Sequence, residues 1–151
     1  MIILKTKSEI KGLRDAGRIV AQTFEVIGEK IQPEITLNYL NEIAEQYITK
    51  EGAETLYKGI TQRRGQVPFP GVITAALNNE ICHGMPDGRV LKEGDIVGID
   101  IGLRYKGWCG DACVTYMVGK VEARVKKLVE TTHQCLMKGI QVSRPGNCIG
   151  L

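Results

Sequence analysis

Apolar and polar residues alternate along the chain with three successive textures. Near the N-terminus, Ile10, Leu13, Ile19, Val20, Phe24 and Ile27 recur close to the 3.6-residue helical period, behind a Thr6-x-x-Glu9 capping box. This pattern predicts a helix over about 7–31, closed by Pro33. Thr36 can cap a second helix, about 36–51, that carries Leu37, Leu40, Ile43, Ala44 and Tyr47, with Gly52 just past its end. The periodicity then breaks in "KGITQRRGQVPFPG", residues 58–71, whose glycines and prolines read as loop. Between about 72 and 118 the period shortens to that of strands: "VITAALN" and "EICHGMP" around Asn78-Asn79, then 96–103 and 109–118 after a turn at Gly94-Asp95. Helical spacing returns from Glu122 to about Val142 through Val125, Leu128, Val129, Leu136 and Ile140, and Pro145-Gly146 breaks it. Helices, antiparallel strands and a helix in that order predict an α+β domain with helices on one face of a sheet.

The last strands hold the first chemical signal. In "GDIVGIDIGLRYKGWCGDACVTYMVG", residues 94–119, Asp100 and Asp111 sit among residues that otherwise read as buried strand. With a Tyr105-Lys106 turn Asp100 faces Asp111; with a Lys106-Gly107 turn it faces Cys113, and Asp111 is two residues along on the same face. Either register separates the carboxylates by roughly 5–8 Å between Cβ atoms. Two ionised carboxylates that close repel and lose hydration, so a proton or a cation between them relieves the strain. The plainer reading gives one aspartate to backbone hydrogen bonds at a bulge and the other to solvent.

His83, in "NNEICHGMP", stands before Gly84 and Pro86, which favour an exposed turn at a strand end where a substrate can approach. As neighbours in a strand, Cys82 and His83 would point to opposite faces, which argues against a thiol–imidazole nucleophile. His133 falls within the last helix and has no evident role.

Composition narrows the class. With 43% hydrophobic and 25% charged residues over 151 positions, the chain can form one ordered domain with a core. The net charge of +3 is spread out, and Arg63-Arg64 is too short a cluster to indicate nucleic acid. No apolar run approaches the length of a membrane span, and no cleavage pattern follows the N-terminal "MII", which favours a cytoplasmic protein. Five cysteines, an odd number without zinc-ribbon or CxxC spacing, read as reduced and mostly buried thiols.

Taken together, "LKTKSEIKGLRDAGRIVA", "VPFPG…LNNEICHGMP", "LKEGDIVGIDIG" and "GWCGDACVTYMVG" resemble, in order and spacing, the N-terminal half of type I methionine aminopeptidases. The resemblance runs over nearly the whole chain, and the HGxP, GDIVxID and GxxGD motifs are specific. It implies the pita-bread fold, two αβ halves about a dinuclear site, and metal-dependent hydrolytic removal of the initiator methionine. By motif, Asp100 resembles a carboxylate that chelates one metal and Asp111 one that bridges both. His83 resembles a histidine that contacts substrate near the scissile bond. Phe69 and Thr74 fall at positions of the methionine pocket, Thr74 where cysteine is frequent, and Asn78 falls near a monovalent-ion site.

The implied cofactors are two divalent ions (Mn, Fe, Co or Zn), and the implied partner is the N-terminal methionine of nascent polypeptides, with the ribosome as a place of encounter. The family's site needs two Asp, one His and two Glu, and the last three belong to its C-terminal half. Residues 1–151 are therefore expected to form a single truncated half-domain, with weak or partial metal occupancy and little activity alone. The alternatives are a non-catalytic half-fold that serves as a binding module, or a homodimer.

Overall fold

The computed structural model describes residues 3–61, 65 and 67–148. Arg63-Arg64 and residues 149–151 lie outside the described residues. The elements in chain order are α1 (Lys7–Gly28), α2 (Leu37–Lys50), β1 (Glu54–Thr55), β2 (Ile73–Leu77), β3 (Ile96–Tyr105), β4 (Trp108–Met117) and α3 (Ala123–Val142).

Local chemistry starts both N-terminal helices. The Thr6 hydroxyl accepts from Glu9 N–H, and the Glu9 carboxylate accepts from Thr6 N–H at 2.7 Å, completing the capping box. The backbone and side-chain bonds from Thr6, the backbone bond foremost, hold the Glu9 carboxyl below its ordinary range with help from nearby Lys5, against a small opposing effect of desolvation. Thr36 caps α2 through Tyr39 N–H at 3.2 Å. The first helix ends at Gly28, a turn earlier than the spacing predicts, and Glu34 then turns the chain with φ 72°.

All four strands join one antiparallel sheet built around β3. On one side β3 pairs with β1 and β2, and on the other with β4 along its full length. The hairpin turn is Lys106-Gly107, with φ of 49° and 83°. Left-handed conformations at both central residues suit the strand twist, and glycine accepts one without strain. Asp100 therefore pairs with Cys113, and Asp111 with Gly102.

Odd positions of β3 (Val97, Ile99, Ile101, Leu103) are fully buried and face α1 and α2. The helices contribute Ile19, Val20, Phe24 and Ile27 from α1, and Leu37, Leu40, Ala44 and Ile48 from α2. α1 lies along β4. Trp108 meets Gly12, Gly110 meets Ala16, and the Tyr116 ring reaches Gly28 while its hydroxyl donates to Phe24 O at 2.6 Å. The spans agree: from residue 12 to 28 a helix rises about 24 Å, and from 108 to 116 a strand runs about 26 Å. A Cβ at Gly110 would stand 2.9 Å from the Ala16 backbone, so the close crossing requires glycine there.

Three expectations are corrected. "EICHGMP" is not a strand: Asn78 and His83 adopt φ of 54° and 57°, and the segment folds back as a loop beside β2. α3 is not packed on the sheet. None of its residues is buried, and Leu128, Leu136, Met137, Ile140 and Val142 are exposed. Lastly, all five cysteines are exposed rather than buried. Cys109 and Cys113 lie on the outer face of β4, Cys135 on α3 and Cys82 in the loop, and among the described residues no layer covers these surfaces. No helix of the described residues is long and apolar enough to cross a membrane.

Candidate metal centre and apolar cleft

The sheet face opposite the helices carries the even positions of β3 with their neighbours: Thr74 beside Asp100 on β2, and Cys113 and Asp111 on β4. Strand alternation alone puts them on one side. The loop 80–89 is held against the end of β2 by its own network. Ala75 N–H donates to Gly84 O at 2.7 Å, and a side chain at Gly84 would collide with the Ala75 backbone. Arg89 donates to Glu80 at 2.7 Å and to Asp87 at 2.9 Å, and Glu80 accepts from Leu77 N–H at 2.8 Å. The Arg89 hydrogen bonds are the first cause that lowers the Glu80 carboxyl from its ordinary value. This brace holds His83 exposed at the rim.

Neither Cys82 nor His83 is in a strand, so strand alternation does not hold their side chains on opposite faces. No hydrogen bond joins them among those between described residues. Asn78 ties the loop to β3: its amide donates to Asp95 at 2.9 Å and its side-chain oxygen accepts from Ile96 N–H at 3.0 Å.

Phe69 is fixed by two backbone bonds, Gly59 N–H to Phe69 O at 2.9 Å and Phe69 N–H to Ile60 O at 2.8 Å. These pin the loop over a cleft of about 510 Å³ whose walls include Phe69, Val67, Met85, Thr74, His83 and Asp100. The structure thus brings four of the five candidate residues, Phe69, Thr74, His83 and Asp100, to one cavity. Asp111 stands next to Asp100, outside that lining.

Sequence reasoning missed Tyr57. Its hydroxyl lies 2.9 Å from Asp100 Oδ1 and 3.0 Å from Asp111 Oδ2. A phenol has one O–H, so it donates to one carboxylate at a time or is shared between the two. Burial, and then the bonds to Asp100 and Asp111, push the phenol far above its ordinary pKa. Cys113, though exposed, is also raised, first by desolvation and then by the charges of the same two aspartates, so it stands as a thiol rather than a thiolate. A signal for Tyr57 did exist: Gly102 interrupts a run of large apolar residues, and a strand glycine marks close approach by another group.

The donor chemistry fits a hard divalent ion in part. Two carboxylates converge on one point, and oxygen donors suit such ions. Among the described residues no group of three or more His, Cys, Asp or Glu could hold a metal, so the pair is an incomplete ligand set.

An antiparallel sheet with helices on one face, and an open face bearing paired carboxylates beside an apolar cleft, defines a half of the pita-bread class of α+β proteins. The chain belongs to metallopeptidase family M24, matched over residues 11–150. It is similar to methionine aminopeptidase 1 of Bacillus subtilis, 44% identical over 146 residues, covering 97% of this chain and 56% of the relative. It resembles the crystal structure of methionine aminopeptidase from Rickettsia prowazekii, with 36% identity, a TM-score of 0.85, and coverage of 97% of this chain and 56% of that one. An Xaa-Pro dipeptidase from Bacillus anthracis is more distant, with 27% identity, a TM-score of 0.74, and coverage of 90% and 35%. The chain spans a little over half the length of the curated relatives it matches.

Proposed function

We propose that these residues form the N-terminal half of a methionine aminopeptidase, which contributes two metal-holding carboxylates and the pocket for the methionine side chain. The observation that carries this reading is the convergence of Asp100 and Asp111 on a single hydroxyl, beside an apolar cleft. The cleft suits a long, unbranched apolar side chain, with Phe69 and Met85 as soft walls. Thr74 contributes a small polar group to the lining, beside Asp100. His83, exposed at the rim, is in reach of a peptide whose first side chain fills the cleft, and orients it by hydrogen bonding. Asp100 and Asp111 hold the ions, of which Mn, Fe, Co and Zn all suit such donors. Divalent ions, when bound, polarise the scissile carbonyl and lower the pKa of water. Two carboxylates alone hold such ions weakly, and the 151-residue chain by itself is therefore expected to be inactive or nearly so.

The substrate class is the free N-terminal methionine of a newly made polypeptide, met in the cytoplasm and near the ribosome. The test is methionine release from Met-Ala-Ser by the purified chain with Mn²⁺. Turnover at a rate typical of aminopeptidases would overturn the half-site reading. In the same preparation, loss of Mn²⁺ binding in Asp100→Asn and Asp111→Asn would support the assignment of the pair.

The exposed apolar residues of α3 favour a second reading, a module that pairs with another chain. Size-exclusion chromatography separates a homodimer from a monomer. A dimer of this chain brings aspartates again, where the family's site takes His and Glu, so it does not complete the ligand set.

A further inference from the structure

Tyr57 stands between the two carboxylates, and the hydrolytic reading of the site makes no use of it. Three features put it there. Leu56 N–H donates to Gly102 O at 3.0 Å and tethers the segment to β3. The ring then covers Gly102, where a Cβ would come within 2.9 Å of Tyr57 Cε1 and Cζ, so only glycine admits the ring at this distance. Because Gly102 pairs with Asp111, and Asp100 is two residues earlier on the same face, a phenol lying on Gly102 reaches both carboxylates.

Asp100 and Asp111 would hold a divalent ion through their carboxylate oxygens, the hard donors such an ion takes. It would use the oxygen lone pairs that the phenol now faces. A neutral phenol also cannot offset the charge of two carboxylates as a divalent ion can. The two occupants therefore compete for one place.

We propose that Tyr57 is a placeholder in the carboxylate pair: its hydroxyl keeps Asp100 and Asp111 at working separation and is displaced when a divalent cation enters. This makes Tyr57 a positioning residue that raises the cation concentration needed for loading. The proposal rests on the reading of the pair as a metal site.

Isothermal titration of the 151-residue chain with MnCl₂ tests it, comparing the natural chain with Tyr57→Phe, Gly102→Ala and Asp100→Asn. Tyr57→Phe keeps the ring and removes only the competing hydroxyl. It is expected to bind Mn²⁺ about ten-fold more tightly, the scale of one hydrogen bond to a charged group. Gly102→Ala keeps the phenol but pushes it off the pair, and is expected to tighten binding in the same direction. In the natural chain, Mn²⁺ should also produce a near-ultraviolet tyrosine difference spectrum that Tyr57→Phe lacks.

Equal or weaker Mn²⁺ binding by folded Tyr57→Phe would overturn the placeholder role and leave the metal reading intact. So would saturation of the natural chain with no tyrosine signal, a measurement that needs no variant to fold. If neither the natural chain nor Tyr57→Phe gives a binding heat above that of Asp100→Asn, the metal reading fails and the placeholder falls with it.

Discussion

β3 presents two different surfaces from one run of residues. Its odd positions, Val97, Ile99, Ile101 and Leu103, have no exposed area and carry the contact with α1 and α2. Its even positions include Asp100, which lines the cleft, and Gly102, which lies under the Tyr57 ring. The covered face is apolar and tolerates no gap, whereas the open face carries charge because water or a bound ion can still solvate it. Stability and chemistry are thus separated by a single step along the strand, and substitutions on the two sides should behave differently.

The largest loss is expected at Ile101→Ala, which leaves a cavity under the helices. It should cost about 2–5 kcal/mol, read as a lower urea midpoint with an unchanged slope. An unchanged midpoint would remove the distinction between the faces. Gly110→Ala comes next, because the new carbon meets the Ala16 backbone rather than a flexible side chain. Overpacking of this kind costs about 1–3 kcal/mol, again visible in urea unfolding.

Tyr116→Phe removes a 2.6 Å hydrogen bond to Phe24 O and should cost about 1 kcal/mol. Burial pushes the Tyr116 phenol up to about 12 in the fold. The folded state therefore keeps the proton that the unfolded chain gives up first. This contribution is complete below the ordinary phenol value of about 10 and fades as pH rises towards about 12. Tyr116→Phe should flatten that part of the alkaline unfolding curve.

On the open face, Asp100→Asn should change stability by less than about 1 kcal/mol while abolishing the Mn²⁺ heat in calorimetry. A large loss of stability there would mean that the pair serves the fold instead. Smallest of all, Leu136→Ser on exposed α3 should stay within about 0.5 kcal/mol of the natural chain. A larger destabilisation would show that α3 packs against something in solution.

Much of the covered face was legible in the sequence. The α1 capping box, the Thr36 cap of α2 and the apolar spacing locate α1 and α2 to within a few residues, and β3 and β4 follow from alternation. The hairpin was narrowed to two registers. The observed Lys106-Gly107 turn puts both left-handed positions on residues that bear them better than bulky Tyr105 would. The loop with His83 was misread as strand because its apolar residues, Ile81 and Met85, resemble an alternating run. In the fold they are exposed, and the segment is held by Arg89, Glu80 and a tight approach at Gly84. The cysteines were misread for a similar reason: composition favours burial, but Cys109 and Cys113 fall on the uncovered side of β4.

By itself the sequence determined where the helices begin, which strands alternate, and that Asp100 and Asp111 can share a face, together with a resemblance strong enough to name a family. These follow from the covalent periods of helix and strand, which act over a few residues. Only the tertiary structure decided that Tyr57 stands between the aspartates, across 43 and 54 positions of chain. It also decided that α3 and the cysteines lie uncovered. Contacts at that range depend on which layers meet and how closely, and no local pattern of residues specifies that.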